Sequence, residues 1–115
     1  MIPKKNRLTR REIVEVREKG KIKGGKRVSI LYIHTGGEVP RFGMIVSSRV
    51  AKLAVERNRI KRVLREAFKE ILGKISSGYS IVVLARKSMM GAGVREVAEE
   101  LEEIMRLNGM ICAGK

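Results

Sequence analysis

Residues 52–72 read KLAVERNRIKRVLREAFKEIL, and this stretch decides the fold because its apolar residues recur at helical spacing. At about 100° per residue, most of the apolar side chains share one face and the cations spread over the opposite face. Gly73 follows directly and can end the helix. The segment predicts a long amphipathic helix whose apolar residues are Leu53, Ile60, Leu64, Ala67, Phe68 and Ile71.

Two stretches rich in β-branched residues flank this helix. Residues 41–47 (RFGMIVS) precede it and residues 79–85 (YSIVVLA) follow it. The second stretch is apolar almost throughout, which is typical of a strand buried on both faces. Because a helix joins the two predicted strands by a crossover, we expect them to run parallel.

Another strand is predicted at residues 28–33 (VSILYI), after a loop or very short edge strand at residues 21–25. The short connection with Gly36, Gly37 and Pro40 predicts an antiparallel hairpin between residues 28–33 and 41–47. Gly43, inside the second strand of that hairpin, indicates either a β-bulge or a close approach by another part of the chain.

Helices are predicted at both ends of the chain. Thr9 and Glu12 have the spacing of a capping box, so a helix should begin at Arg10, and Gly20 should end it in a left-handed conformation. The apolar spacing of residues 94–105 predicts a last amphipathic helix, closed by Asn108-Gly109. We therefore expect an α+β domain of order α-β-β-β-α-β-α with a mixed four-stranded sheet, or one strand fewer if residues 21–25 form a loop. We expect one domain over residues 1–115, with mobile ends at 1–6 and 109–115.

The charge of the chain predicts a polyanionic partner. There are 26 basic and 12 acidic residues, which gives a net charge of +14, and residues 1–87 hold 23 of the basic residues. Five of the nine residues from 57 to 65 are basic and none is acidic. A solvated helix face usually mixes both signs, as the last helix does, whereas this stretch is tolerable when phosphates supply the counter-charge.

Several other classes of protein are disfavoured by the composition. The chain has one histidine (His34), one cysteine (Cys112) and no aspartate, too few ligands for a zinc site or a two-metal nuclease site. Neither a secretory signal nor a membrane-spanning stretch is present, so we expect a soluble, cytoplasmic protein. We also expect no catalytic centre formed by protein groups.

At this point the sequence resembles the protein subunit of bacterial ribonuclease P. The likeness rests mainly on residues 52–65, which contain the "RNR" signature Arg57-Asn58-Arg59. It extends to residues 42–47 before this segment, to residues 81–86 after it and to Asn6-Arg7-Leu8. The resemblance implies an α-β sandwich with a left-handed crossover between two parallel central strands. It also implies a protein that is inactive alone and that supports a catalytic RNA, which uses magnesium ions to remove the 5′ leader from precursor tRNA. No metal or other cofactor is expected to bind a dedicated site on the protein.

The resemblance also implies the binding residues. The residues expected to contact the catalytic RNA are Lys52, Arg57, Asn58, Arg59, Lys61, Arg62 and Arg65. A cleft between the first helix and the sheet is expected to bind the 5′ leader, and its residues are Ile13, Arg17 and Tyr32. Better-known members of the family have phenylalanines at the positions of Ile13 and Arg17. A shift of the alignment by one residue would place Val14 at the first of these positions.

Some alternatives remain open from the sequence. Tyr32 alternates with Leu31 and Ile33, so a half-buried strand residue is as good an interpretation as a leader contact. A small ribosomal-type structural RNA-binding protein would share the size, charge and α/β composition. A nuclease in its own right and a peripheral membrane protein are less well supported, because carboxylate pairs and interfacial aromatic residues are missing.

Overall fold

The elements follow one another in the predicted order. A computed structural model describes residues 4–111. The main elements within this range are α1 (Arg10–Lys19), β1 (Lys21–Gly24), β2 (Val28–His34), β3 (Arg41–Ile45), α2 (Ala54–Ile71), β4 (Tyr79–Ala85) and α3 (Val94–Leu107). β4 has the predicted bounds, and α2 begins two residues later than predicted, which leaves Lys52 just before the helix.

The sheet has the strand order β1-β2-β4-β3. β4 pairs parallel with β3, as predicted, and antiparallel with β2. The predicted hairpin between β2 and β3 is wrong, because β4 lies between them. Ile81, Val82 and Val83 are fully buried, so β4 is the strand that gains most from a central position. Residues 35–40 are long enough to pass across one strand, a distance of about 10 Å.

The parallel pair therefore consists of one central strand and one edge strand, which corrects the expectation of two central parallel strands. The edge position of β3 follows from the same insertion of β4 beside β2. The expected left-handed crossover between β3 and β4 stays a prediction.

The sheet separates two layers of helix. On one face, α2 and α3 pack against side chains such as Ile30 and Ile81, and the rings of Phe42 and Phe68 stack with centroids 4.1 Å apart. On the other face, α1 packs through Val16 against Leu31 and Val82. Adjacent residues of a strand point to opposite faces, so β2 and β4 supply apolar side chains to both layers. The fold is an α-β sandwich.

The predicted capping box is present at the start of α1. The Thr9 amide donates to Glu12 Oε1 at 2.8 Å, and the Glu12 amide donates to Thr9 Oγ1 at 3.2 Å. Gly20 ends α1, as predicted, but the predicted left-handed conformation is wrong, because this residue is extended (φ −78°, ψ 162°). Glycine is needed there for space, since a Cβ atom would lie 2.5 Å from the carbonyl oxygen of Val16.

Both described ends of the chain contribute buried residues. Asn6 is buried, and its side-chain amide donates to the Pro40 carbonyl at 2.7 Å. Met110 is fully buried, and Ile111 forms an isolated bridge with Ile75. Asn6 and Met110 thus belong to the folded body, although we expected mobile ends there. Cys112 lies outside the described residues.

Candidate nucleic-acid interface

The polar face of α2 has a dense group of basic residues. The apolar residues Ile60, Leu64 and Phe68 are buried in the core, which turns the opposite side of the helix toward solvent. Asn58, Arg59, Arg62 and Arg65 are exposed there. Together with the exposed Lys52 and the half-buried Lys61 they form a surface that we call the α2 cation face.

The cations of the α2 cation face form no ion pairs within the described residues, although Glu56, Glu66 and Glu70 line pockets together with them. Ion pairs among residues 4–111 connect other parts of the fold, such as Arg27 with Glu96 and Glu100, and none of them includes a residue of α2. Arginine can grip a phosphate through two N–H groups at once, and this geometry needs a guanidinium that is not already paired. The arrangement can therefore bind a chain of phosphates.

Arg57 occupies a different environment from the other predicted RNA-binding residues. Its Nη1 donates to the carbonyl oxygens of Ala51 at 2.9 Å and Lys52 at 2.8 Å. These bonds fix the turn that leads into α2. Arg57 falls near the apolar side of the helical wheel, which was the sequence signal for this separate position.

The three residues predicted to bind the leader do not line one cleft. Ile13 packs against the apolar cluster beneath α1, and Arg17 is exposed on the same helix. Tyr32 instead packs against the core under α2 and α3, on the other face of the sheet. Leu31 points toward α1, so its neighbour Tyr32 must point away. The expectation that Tyr32 shares a cleft with Ile13 and Arg17 is wrong.

On the face of the sheet that α1 covers, the helix leaves some apolar residues partly accessible. On the helical wheel, Glu12 and Val14 lie on opposite sides of Ile13. Glu12 contacts Arg41 at the start of β3, so the Val14 and Arg17 side faces the row formed by Ile45 and Leu84 at the strand ends. Val14 is 47% exposed, and Ile45 and Leu84 are half-buried. The wheel and the strand register thus place Val14 and Arg17 beside Ile45 and Leu84, and we call this surface the α1 groove.

The α1 groove and the start of the α2 cation face lie toward the same end of the sheet. The parallel strands β3 and β4 both finish there, at Ile45 and Ala85. The chain leaves Ile45 and enters α2 at Ala54, so the first turn of α2 must be near that end. Arg86 follows β4 directly, and its Nε donates to Ser29 Oγ at 3.1 Å.

Tyr32 belongs to a small aromatic cluster at the opposite end of the sheet. Its ring centroid is 6.2 Å from that of Tyr79, which His34 meets edge-on at 4.8 Å. The three rings line a pocket, which Lys19, Lys21 and Asn108 also border. Tyr32 is half-buried, which agrees with the alternative interpretation of this residue.

Metal-binding and membrane-spanning features are not found in the part of the chain that the structure describes. No three His, Cys, Asp or Glu residues within 4–111 form a group that could hold a metal ion. Over the same residues, no helix has both the length and the apolar character needed to cross a bilayer.

Comparison of the sequence with protein families identifies the family to which the chain belongs. A family model described as Ribonuclease P matches residues 2–107. The chain belongs to the ribonuclease P protein family. A relative from Pseudanabaena sp. (strain PCC 6903), named ribonuclease P protein component, is 36% identical over 107 residues, covering 91% of this chain and 92% of the relative. One of the same name from Syntrophomonas wolfei is 34% identical, covering 96% and 92%.

Solved structures of ribonuclease P proteins have the same architecture. The protein from Thermotoga maritima matches with a TM-score of 0.76 and 29% identity, over 87% of this chain and 96% of that one. A mutant of the Staphylococcus aureus protein matches with a TM-score of 0.81 over 94% and 92%, and at 24% identity this likeness concerns the fold alone. Both the resemblance seen in the sequence and the predicted α+β class are confirmed.

Proposed function

We propose that this chain binds the catalytic RNA of ribonuclease P and, with it, supports removal of the 5′ leader from precursor tRNA. The observation that carries the proposal is the α2 cation face, which is exposed and free of ion pairs in the described part of a ribonuclease P family chain. A small ribosomal-type protein would account for the charge, but the family match favours the ribonuclease P role.

The α2 cation face grips the RNA backbone in this proposal. Arg59, Arg62 and Arg65 each present a planar fork that can hold two phosphate oxygens. Asn58 adds both a donor and an acceptor, and Lys52 and Lys61 add point charges at the borders. Arg57 supports the face from below by holding the turn before α2.

The leader lies in the α1 groove in this proposal. Ile45 and Leu84 offer an apolar floor, and Val14 and Arg17 form the helix wall beside it. Unstacked bases can rest on the apolar surface, while the Arg17 guanidinium attracts the backbone or stacks on a base. This assignment favours Val14 over Ile13 as the residue that meets the leader, because Ile13 is packed on the sheet. Tyr32 does not contact the leader in this proposal.

The protein contributes binding and orientation, and the RNA supplies the hydrolytic centre. Magnesium ions, in this proposal, are held by the RNA component and not by a dedicated site on the protein. The protein reduces repulsion between the catalytic RNA and its RNA substrate by placing cations between them. In this proposal the protein acts in the cytoplasm.

Affinity for three RNAs tests the proposal. We expect tight binding to a ribonuclease P RNA, with the logarithm of the association constant falling steeply against the logarithm of salt concentration, by about 0.7–0.9 per neutralised phosphate. In complex with that RNA, precursor tRNA should bind more tightly than mature tRNA. Equal binding to an unrelated structured RNA of the same length, with no preference for precursor, would favour the ribosomal-type alternative.

A further inference from the structure

The start of α2 breaks a local rule of helix formation. Leu53 is the N-cap residue, and no side chain caps the helix there. Leucine is among the least favourable residues at this position, and serine, threonine, asparagine or aspartate would satisfy a free backbone N–H. Burial of Leu53 adds little stability to the fold, since this residue is 60% exposed.

A second exposed apolar residue lies two positions further on. Val55 is 71% exposed and points away from the core. Three of the other large apolar residues that are exposed within 4–111, Val14, Ile22 and Leu107, belong to α1, β1 and α3. The fourth, Met90, lines a pocket with Glu56 and Arg59 of α2. Leu53 and Val55 are instead close neighbours in sequence, at the edge of the α2 cation face.

Val55 shares a stripe of the helix with residues of the α2 cation face. Positions 55, 58 and 62 are spaced i, i+3 and i+7, so Val55, Asn58 and Arg62 lie on one side of α2. A shallow groove runs along this side and is lined by Val55, Glu56, Asn58, Arg59, Arg62 and Arg65. The groove thus begins with an apolar surface and an amide and continues into three arginines.

The chemical groups at the start of this groove suit an unpaired base better than a phosphate. A base has an apolar face that can rest on Val55, which lines the groove, and on Leu53, which precedes the groove in the chain. It also has an edge whose donors and acceptors can pair with the Asn58 amide. Glu56, a carboxylate at the same end of the groove, would repel a phosphate but can accept from base amino or imino groups. The arginines beyond it suit the phosphates that follow the base.

We infer that Leu53, Val55 and Asn58 form a seat for an unpaired base of the RNA that binds α2. The inference rests on the proposed function, because it specifies which part of that RNA meets the start of the helix. Phosphate contacts hold a protein on RNA without reading its sequence, whereas a seated base selects one place on the RNA. The seat would fix the register of the α2 cation face along its partner.

Substitution of the two apolar residues tests the seat. Leu53→Ser and Val55→Ser should each weaken binding to a ribonuclease P RNA about three- to tenfold, through loss of apolar contact. The salt dependence of binding should stay the same, because no phosphate contact is lost. Leu53→Ser should also raise the midpoint of thermal unfolding by about 2–6 °C, since serine caps the helix. Leu107→Ser, at an exposed position of α3, is the matched control and should leave RNA affinity unchanged.

Arg62→Ala distinguishes failure of the seat from failure of the proposed function. If Arg62→Ala weakens binding and flattens its salt dependence while both serine variants bind like the parent, the seat is wrong and the proposed function stands. If all three variants bind like the parent, the proposed function is wrong as well. A serine variant that changes only self-association in sedimentation, with unchanged RNA affinity, would assign the surface to a second copy and overturn the inference.

Chemical probing of the RNA gives an independent readout. At least one unpaired base should be protected by the parent protein and become reactive again with Val55→Ser, under conditions where the variant is still fully bound. Identical protection with both proteins would contradict the inference.

Discussion

Ile13 of α1 lies directly over Gly43 of β3. A Cβ atom at position 43 would be 2.8 Å from Ile13 Cγ1 and 2.9 Å from Cδ1, closer than carbon atoms approach in folded proteins. The pairing of β3 with β4 is continuous from Arg41 to Ile45, so Gly43 serves a close approach and not a bulge. The missing side chain lets α1 pack closely on the sheet.

Replacement of Gly43 with alanine should therefore lift α1 and destabilise the protein. We expect a loss of about 1–3 kcal/mol in the free energy of unfolding, the usual cost of overpacking a core. Gly73→Ala is the matched control, because a Cβ atom at position 73 meets nothing within 4 Å. Urea unfolding of both variants checks this, and equal stability of the two would show that α1 adjusts without cost.

Arg59→Ala and Arg62→Ala should weaken binding to the catalytic RNA by about 1–3 kcal/mol each, the range for a good arginine contact with nucleic acid. Neither side chain packs in the core, so the free energy of unfolding should barely change. Arg57→Ala should behave differently and lower stability, because its bonds to the carbonyls of Ala51 and Lys52 are lost. Binding titrations and urea unfolding on the same preparations separate the two roles; reduced stability in all three variants would contradict the assignment.

Arg17→Ala should lower the preference for precursor tRNA over mature tRNA, and the effect should fade at high salt because it depends on charge. Tyr32→Ala should leave that preference unchanged, because Tyr32 lies on the other face of the sheet. The measurement is the ratio of the two affinities in complex with the catalytic RNA. A lower ratio for Tyr32→Ala alone would place the leader on the α3 side.

The pH dependence of stability should reflect Glu12. The Thr9 amide, and then the Arg41 guanidinium, hold the pKa of its carboxyl below the ordinary value of 4.5 despite partial burial. Because the pKa is lowered in the folded state, the stabilisation is complete above pH 4.5 and is lost as the pH falls through the lowered value. Thermal unfolding of Glu12→Gln should therefore show a deficit at pH 7 that shrinks in acid. A deficit that is constant down to pH 2 would assign the effect to shape and not to charge.

Local patterns predicted the elements well, and long-range pairing was where prediction failed. The capping box at Thr9 and the apolar spacing of α2 involve residues within one or two turns, so the sequence displays them directly. The place of β4 between β2 and β3 depends on which strand gains most from burial on both sides, and the short loop at Gly36 and Gly37 suggested a hairpin instead.

The site was predicted in the same uneven way. The exposure of Arg59, Arg62 and Arg65 follows from the helical wheel alone. The face occupied by Tyr32 could have been derived from the alternation of β2, had Leu31 been assigned to α1 first. The bonds from Arg57 to backbone carbonyls depend on the course of the turn before α2, which no pattern in the sequence records.

Reconstituted cleavage at low magnesium concentration tests the central claim most directly. The protein is added to a ribonuclease P RNA with precursor tRNA that carries a labelled leader, and release of the leader is followed. We expect rapid cleavage at the mature 5′ end only when protein and RNA are both present, and much slower cleavage with Arg62→Ala in place of the parent at subsaturating protein. Cleavage by the protein alone, or a rate for the RNA that the protein does not change, would contradict the account.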